Sequence, residues 1–436
     1  MIPSRRGLLG GAGLLGLAAA GPGVAAGPAA AEATALQATL ERYFGFGAKA
    51  SGGPGDEACG AWLEGELARN GYACRRQSFE IPFFEVRQAS LTCGAAKASV
   101  IPQAIVAPTG PQGLTAPLKL ASTPGDLSGS IALVVLPYKR WIGIGDPQAS
   151  RPLADAVARG AAGVLLVTTG PTGEAIALNV STKRPSVDRP VALLAPKDAQ
   201  PFLAAAAEGK TATLIVDGRG GRTKRRSAYN LIARLDRKAA KTLVISTPRS
   251  GWFGCAAERG SGLAVWLSLA GWLARTHPAV NVELVATSGH EYQYLGGELF
   301  LEHEATKPDA TAMWLHIGAS AACRDWHELG RLLPLPSADA QRVLTASAQF
   351  LHMTRQAFHG ISGLEATYLA DRAMAGGELG NVIAAGHKNA MGLYGVHRFF
   401  HTQADDMRCT SGELVAPLIA AFRTALTAAL KFPMPS

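Results

Sequence analysis

The second half of the chain carries ionisable residues whose types and placement fit hydrolytic chemistry: Arg249 and Glu258, His290 with Glu291, His316, Glu378, and His401 with Asp405. All stand at expected loop positions after strands. Imidazoles and carboxylates gathered there can hold a divalent metal, or pass a proton near neutrality, since a free imidazole titrates at about pH 6.5. His290-Glu291 directly follow an apolar run and His401 follows Phe399-Phe400. The other histidines carry less: His303 and His352 fall in helical patterns, and His277, His327, His359, His387 and His397 have no evident partner.

The stretch that must position these groups runs from Lys241 to Trp272, KTLVISTPRSGWFGCAAERGSGLAVWLSLAGW. Thr242 to Ser246 reads as a buried strand, the middle as a loop rich in Gly and polar residues, and Gly262 to Thr276 as a helix. A loop leaving the carboxyl end of a strand for a helix is where open α/β sheets bind ligands. The alternation continues with strands at 228–235, 280–288 and 310–317, helices at 294–305, 339–358 and 411–432, and weak strands at 363–369 and 381–385. Before it, helices are expected at 33–44 and 56–69 and a strand at 76–86. This rhythm predicts an α/β fold with a mixed, mostly parallel sheet flanked by helices.

Between 94 and 217 the texture changes to short strands separated by Gly and Pro turns, with helices at 152–159 and 197–208. The stretch has no histidine and reads as a β-rich inserted domain without chemistry of its own. Boundaries are expected at 1–31 for an export signal, 32–93 for the first part of the main domain, 94–221 for the insert and 222–436 for the remainder. The signal rests on Ser4-Arg5-Arg6 before a Gly, Leu and Ala-rich stretch, the pattern of a twin-arginine leader. It predicts a periplasmic or extracellular protein with no transmembrane anchor once the signal is removed.

The 436 residues are 48% hydrophobic and 17% charged, which excludes a disordered chain. The net charge of +9 is concentrated between Arg219 and Lys241, read as a solvated linker with its flanking strands. No recognition helix or aromatic platform accompanies it, so no nucleic-acid partner is expected. Six cysteines are compatible with disulfides outside the cytoplasm, with Cys59–Cys74 as the local guess. No dinucleotide fingerprint or phosphate-binding loop is present.

With YNLIARL, LVISTPRSG, ERGSG, His290-Glu291 and FHTQAD in place, the chain resembles the M28 family of zinc aminopeptidases and carboxypeptidases, in the form interrupted by a protease-associated domain. The resemblance implies a zinc-exopeptidase-like fold and a peptide or small amide substrate. In that family a His-x-Asp follows the strand that here ends in Thr247-Pro248-Arg249. The bridging aspartate becomes Glu258, the Glu-Glu pair becomes His290-Glu291, a further aspartate becomes His316, and the last histidine stays as His401. Thr247 and Arg249 then speak against the ordinary two-zinc site. The resemblance leaves Glu258, Glu291 and His401 for one zinc per chain, with His316 as a fourth ligand or water-orienting group. His290 then sits where the family's general base stands. Apart from the resemblance, the Arg249 charge can replace the missing cation facing an oxyanion, and the aromatic Trp252, Tyr292 and Tyr294 can furnish apolar pocket walls. Two alternatives stay open: a noncatalytic ligand- or peptide-binding protein, and a metal-free amide hydrolase using Cys255 or Ser250.

Overall fold

The computed structural model describes residues 28–140, 143–183, 187–276 and 279–431. The expected export signal falls mainly on residues 1–27, outside the described residues, as does His277.

The chain opens with α1 (Pro28–Gly45) and α2 (Pro54–Arg69). α1 is rich in Ala, Leu and Glu, all good helix formers, and buries Leu36, Leu40 and Tyr43, which its helical spacing puts on one face. Two long strands, β1 (Ala73–Cys93) and, much later, β7 (Thr211–Leu235), then pair antiparallel from Ala73↔Arg234 to Thr92↔Thr213, with irregularities after Pro82 and Val86. Between them lie β2 (Ala96–Pro102), β3 (Leu114–Leu120), β4 (Ile131–Leu136), α3 (Pro147–Ala158), β5 (Gly163–Thr168), β6 (Val191–Leu194) and α4 (Pro196–Ala207). The pairings run β1-β2-β6-β5-β4-β3-β7 and return to β1, so this ring of strands closes on itself. The residues expected as an insert therefore share two continuous strands with the rest, and Gly221 lies inside β7.

After β7 come β8 (Thr242–Pro248), α5 (Gly260–Thr276), β9 (Asn281–Thr287), α6 (Leu295–His303) and β10 (Thr311–Ile317). The chain continues with β11 (Arg324–His327), β12 (Leu333–Ala338), β13 (Arg342–Ala346), α7 (Leu351–Ala357), β14 (Thr367–Leu369), α8 (Glu378–Ala384), β15 (Ala390–Gly395) and α9 (Gly412–Lys431). The main sheet runs β7-β9-β8-β10-β15-β13-β14, with parallel pairing through β9-β8-β10-β15. β8, β9 and β10 are buried along almost their whole length, as a sheet covered on both faces requires. The mixed, mostly parallel α/β sheet expected from the sequence is present. α9 is long and apolar enough to cross a membrane, yet it packs on α1, α5 and α7 and buries Val415, Leu418, Ile419 and Phe422 in the core.

Several expectations change. The long helix expected at 339–358 is strand β13 followed by the short α7. Val343 and Thr345 are β-branched, and the antiparallel ladder with β15 outweighs local helix preference. Residues 381–385, expected as a strand, lie mostly in α8. The basic run at 219–226 is the middle of β7 rather than a linker, with Arg219 and Arg226 both close to Glu85. All six cysteines are free, so the Cys59–Cys74 pairing is not made.

Candidate active site

The candidate residues meet at the carboxyl ends of the parallel strands. Glu258 stands in the β8–α5 loop, His290 and Glu291 on a short turn after β9, His316 near the end of β10, and His401 in the loop after β15. Each is almost completely buried. Backbone strain gathers around them: Cys255, Gln293, Tyr294, Ser320 and His401 all adopt positive φ between 51° and 68°. A non-glycine residue there costs about 1–3 kcal/mol and marks a conformation the surroundings impose.

At the centre is a charged pair. Arg259 Nη2 lies 2.8 Å from Glu258 Oε1, and His401 Nε2 approaches the same oxygen at 3.3 Å. Burial alone would raise the Glu258 pKa, but the guanidinium and the imidazole outweigh it and hold the carboxyl well below the usual carboxylate range. Arg259 is anchored by its Nε, which donates to the Ser250 carbonyl at 2.8 Å. His401 Nδ1 lies 2.9 Å from the Ala177 carbonyl, and a carbonyl can only accept, so Nδ1 carries a proton. Its Nε2 faces the Glu258 carboxylate oxygen that the Arg259 guanidinium already neutralises.

Beside this pair sits an imidazole–carboxylate dyad. His290 Nδ1 lies 3.1 Å from Glu378 Oε1, whose carboxylate also accepts from Thr287 Oγ1 at 2.9 and 3.0 Å. Tyr294 stands edge-on to the His290 ring at 4.7 Å, its hydroxyl pushed up to about 12 by burial. Burial, with the nearby Arg259 charge, lowers the His290 pKa well below its ordinary value, and burial raises that of Glu378. A neutral imidazole that donates through Nδ1 keeps the Nε2 lone pair for a proton. His316 is likewise pushed down to about 4 by burial, and its Nδ1 lies 2.8 Å from Ser246 Oγ.

Other expected roles change. Glu291 turns away from Glu258: Ser51 Oγ and Ser250 Oγ donate to its Oε2 at 2.8 and 2.7 Å, and the Ser51 N–H to its Oε1 at 3.2 Å. Burial still raises its pKa. Arg249 does not face a substrate. Its Nε lies 2.9 Å from Asp56 Oδ1, its Nη1 donates to the Ala286 carbonyl, and its guanidinium covers the Tyr229 ring at 4.4 Å. Trp252 and Tyr292 pack against the ring of strands: Trp252 Nε1 donates to Asn179 Oδ1 and Tyr292 Oη to the Pro82 carbonyl. Thr247 Oγ1 donates to the Ile317 carbonyl. Cys255 is buried, and burial together with Glu258 raises its thiol pKa well above the ordinary value, the opposite of an activated nucleophile. Ser250 is held by Glu291 rather than by a histidine ring.

Arg259 and Glu378 are the partners that sequence reasoning left without roles. Arg259 directly follows Glu258, and Glu378 stands at an expected loop position after a strand, so both signals are in the sequence. The inserted stretch also contributes despite lacking histidine. Residues 175–180 are buried over the site, where the Ala177 carbonyl meets His401 and the Val180 N–H donates to the Glu291 carbonyl at 3.0 Å.

A zinc centre of the kind this architecture suggests needs several free donors aimed at one point. Glu258 and His401 offer buried oxygens and a nitrogen without hydrogen-bond partners. Against them, the Arg259 guanidinium already lies on the Glu258 carboxylate, and Glu291 is satisfied by two serines. Among the described residues, the groups whose ligand atoms all lie within 4.8 Å are His397 with Asp405 and Cys409, and Cys255 with Glu258 and Asp405. Neither contains Glu291, His316 or His401, so the donor set in the cleft does not fit either the two-zinc site or the expected single-zinc half-site.

No family model matches the chain, and no curated protein does. Solved structures do. A zinc aminopeptidase from Bacillus subtilis is 17% identical with a TM-score of 0.71, covering 93% of this chain and 96% of its own. A peptidase M28 precursor from Shewanella amazonensis SB2B is 15% identical with a TM-score of 0.68, covering 93% and 96%. An aminopeptidase from Aneurinibacillus sp. strain AM-1 is 16% identical with a TM-score of 0.63, covering 91% and 93%. These likenesses span nearly the whole of each chain, and the protein has an M28-type zinc-exopeptidase fold.

Proposed function

We propose that this chain is an exported hydrolase of a peptide or other amide bond in which fixed protein charges occupy the role that zinc fills elsewhere on this fold. The observation that carries the reading is the juxtaposition of the His290–Glu378 dyad with the Arg259–Glu258 pair. His290 Nε2 takes a proton from water as the oxygen attacks the amide carbonyl, while Glu378 accepts from Nδ1–H and steadies the imidazolium that forms. Arg259 stabilises the negative charge that develops on the carbonyl oxygen. The protonated His290 then gives its proton to the leaving nitrogen, so one water is consumed and a carboxyl and an amine are released. Residues 175–180 are bonded to His401 and Glu291, so substrate entry is expected to move them.

The export part of the proposal, by the twin-arginine route to the periplasm or beyond, rests on Ser4-Arg5-Arg6 and the apolar stretch after it. A protease-associated character for the inserted stretch rests on the sequence resemblance. A second reading, a noncatalytic ligand-binding protein, is favoured by the burial of Glu258, Arg259 and His401.

A screen of amide and peptide substrates with the mature protein and its His290→Ala variant separates these. The hydrolase reading expects turnover that falls about 10²–10⁴-fold in the variant, with a smaller loss in Glu378→Gln. Turnover indifferent to His290 rejects the dyad, and no turnover across the screen leaves the binding reading. A stoichiometric metal lost from both Glu291→Gln and His401→Ala would restore the single-zinc arrangement.

A further inference from the structure

Behind the cleft lies a second group of metal-ligating side chains that the proposed chemistry does not use. His397, Asp405 and Cys409 have ligand atoms within 4.8 Å of one another. Cys323 adjoins them: its thiol donates to the Ala257 carbonyl at 3.5 Å, and it packs with Cys409 in one buried cluster. All four are at most 1% exposed. His397 Nδ1 is occupied by Ser320 Oγ at 3.0 Å. Its Nε2 is buried without a hydrogen-bond partner and lies 3.5 Å from Asp405 Oδ1. Asp405 accepts the N–H groups of Ala257 and Glu258 at 2.9 Å each, which leaves lone pairs on both oxygens.

We propose that His397, Asp405, Cys409 and Cys323 form a closed structural site for a thiolate-preferring divalent cation of the Zn²⁺ class. Two sulfurs, an imidazole and a carboxylate make a four-coordinate set, and it is the absence of an open position that separates a structural zinc site from a catalytic one. Binding needs both sulfurs as thiolates and a bare lone pair on His397 Nε2, so it releases the two thiol protons together with any proton on that nitrogen, and no oxidant or reductant is involved. The ion joins the loop after β10 to the loop after β15. Through Asp405 it also fixes the backbone of Ala257 and Glu258 at the edge of the cleft.

The test uses the full mature chain purified with Zn²⁺ present, by elemental analysis, and after exchange with Co²⁺, by absorption. One equivalent of zinc is expected, retained in His290→Ala and Glu258→Gln and reduced at least tenfold in Cys409→Ser and Cys323→Ser. Co²⁺ should give thiolate-to-metal charge-transfer absorption, which keeps the proposal testable if the cysteine variants fail to fold. Two fewer titratable thiols than the six free cysteines, with no metal, would identify a Cys323–Cys409 disulfide and overturn the proposal. It is equally overturned by absence of the charge-transfer band, or by zinc that leaves with Glu258→Gln instead of Cys409→Ser. None of these readouts depends on whether the cleft hydrolyses amides.

Discussion

Two arginines ten residues apart divide the work expected of one. Arg249 is a framework cation whose guanidinium is shared between Asp56, the Ala286 carbonyl and the Tyr229 ring, whereas Arg259 points its charge at Glu258. Arg249→Met should therefore cost about 3–5 kcal/mol by leaving Asp56 buried and unpaired, and Asp56→Asn in the same chain should recover part of it. Denaturant midpoints of the single and double variants check this, and equal destabilisation by both would remove the pairing argument. His316 supplies a pH dependence. Its folded pKa of about 4 lies below the ordinary 6.5, so below pH 6.5 the unfolded chain takes up a proton that the native state refuses. Stability is whole above 6.5 and falls as pH drops towards 4, by on the order of 3 kcal/mol from this group. His316→Gln should flatten that fall between pH 7 and 4.5. An unchanged pH slope would show that the ring is not held neutral.

At the scale of elements, few bonds tie the segment over the site to the main sheet. Trp252 Nε1 to Asn179, the Val180 N–H to Glu291, and the pairing of Ala177 with His401 tie residues 175–180 to the main sheet. Trp252→Phe removes one of them while keeping most of the apolar contact. Amide hydrogen exchange should then quicken by several-fold at 176–181, a loss of about 1 kcal/mol, with the β8 and β9 amides unmoved. Exchange that quickens in β8 as well would mean that Trp252 supports the sheet and not the cover. Most elements were legible beforehand because long apolar periodicities decide them, as in α1, α5, α9 and strands β8 to β10. The errors fall where tertiary pairing overrides local preference. Arg342–Ala346 is drawn into the sheet by β15, and α8 forms where short apolar residues suggested a strand. The site was legible in its residue types and loop positions. It was not legible in its directions, since nothing in His290-Glu291 says that Glu291 turns towards Ser51 and Ser250 while His290 finds Glu378.

At the scale of the whole molecule, the main sheet carries the ionisable centre and the ring of strands covers it, and both are built on the same two strands. An insert joined by flexible connections could come and go without disturbing what lies beneath it. Here β1 and β7 pass from one layer into the other without a break, paired from Ala73↔Arg234 to Thr92↔Thr213. Pairing residues so distant in sequence requires closing a long loop before any ladder bond rewards it, so such contacts form slowly. The ribbon is therefore a clock as well as a joint. Neither the cover nor the cleft is complete until it zips.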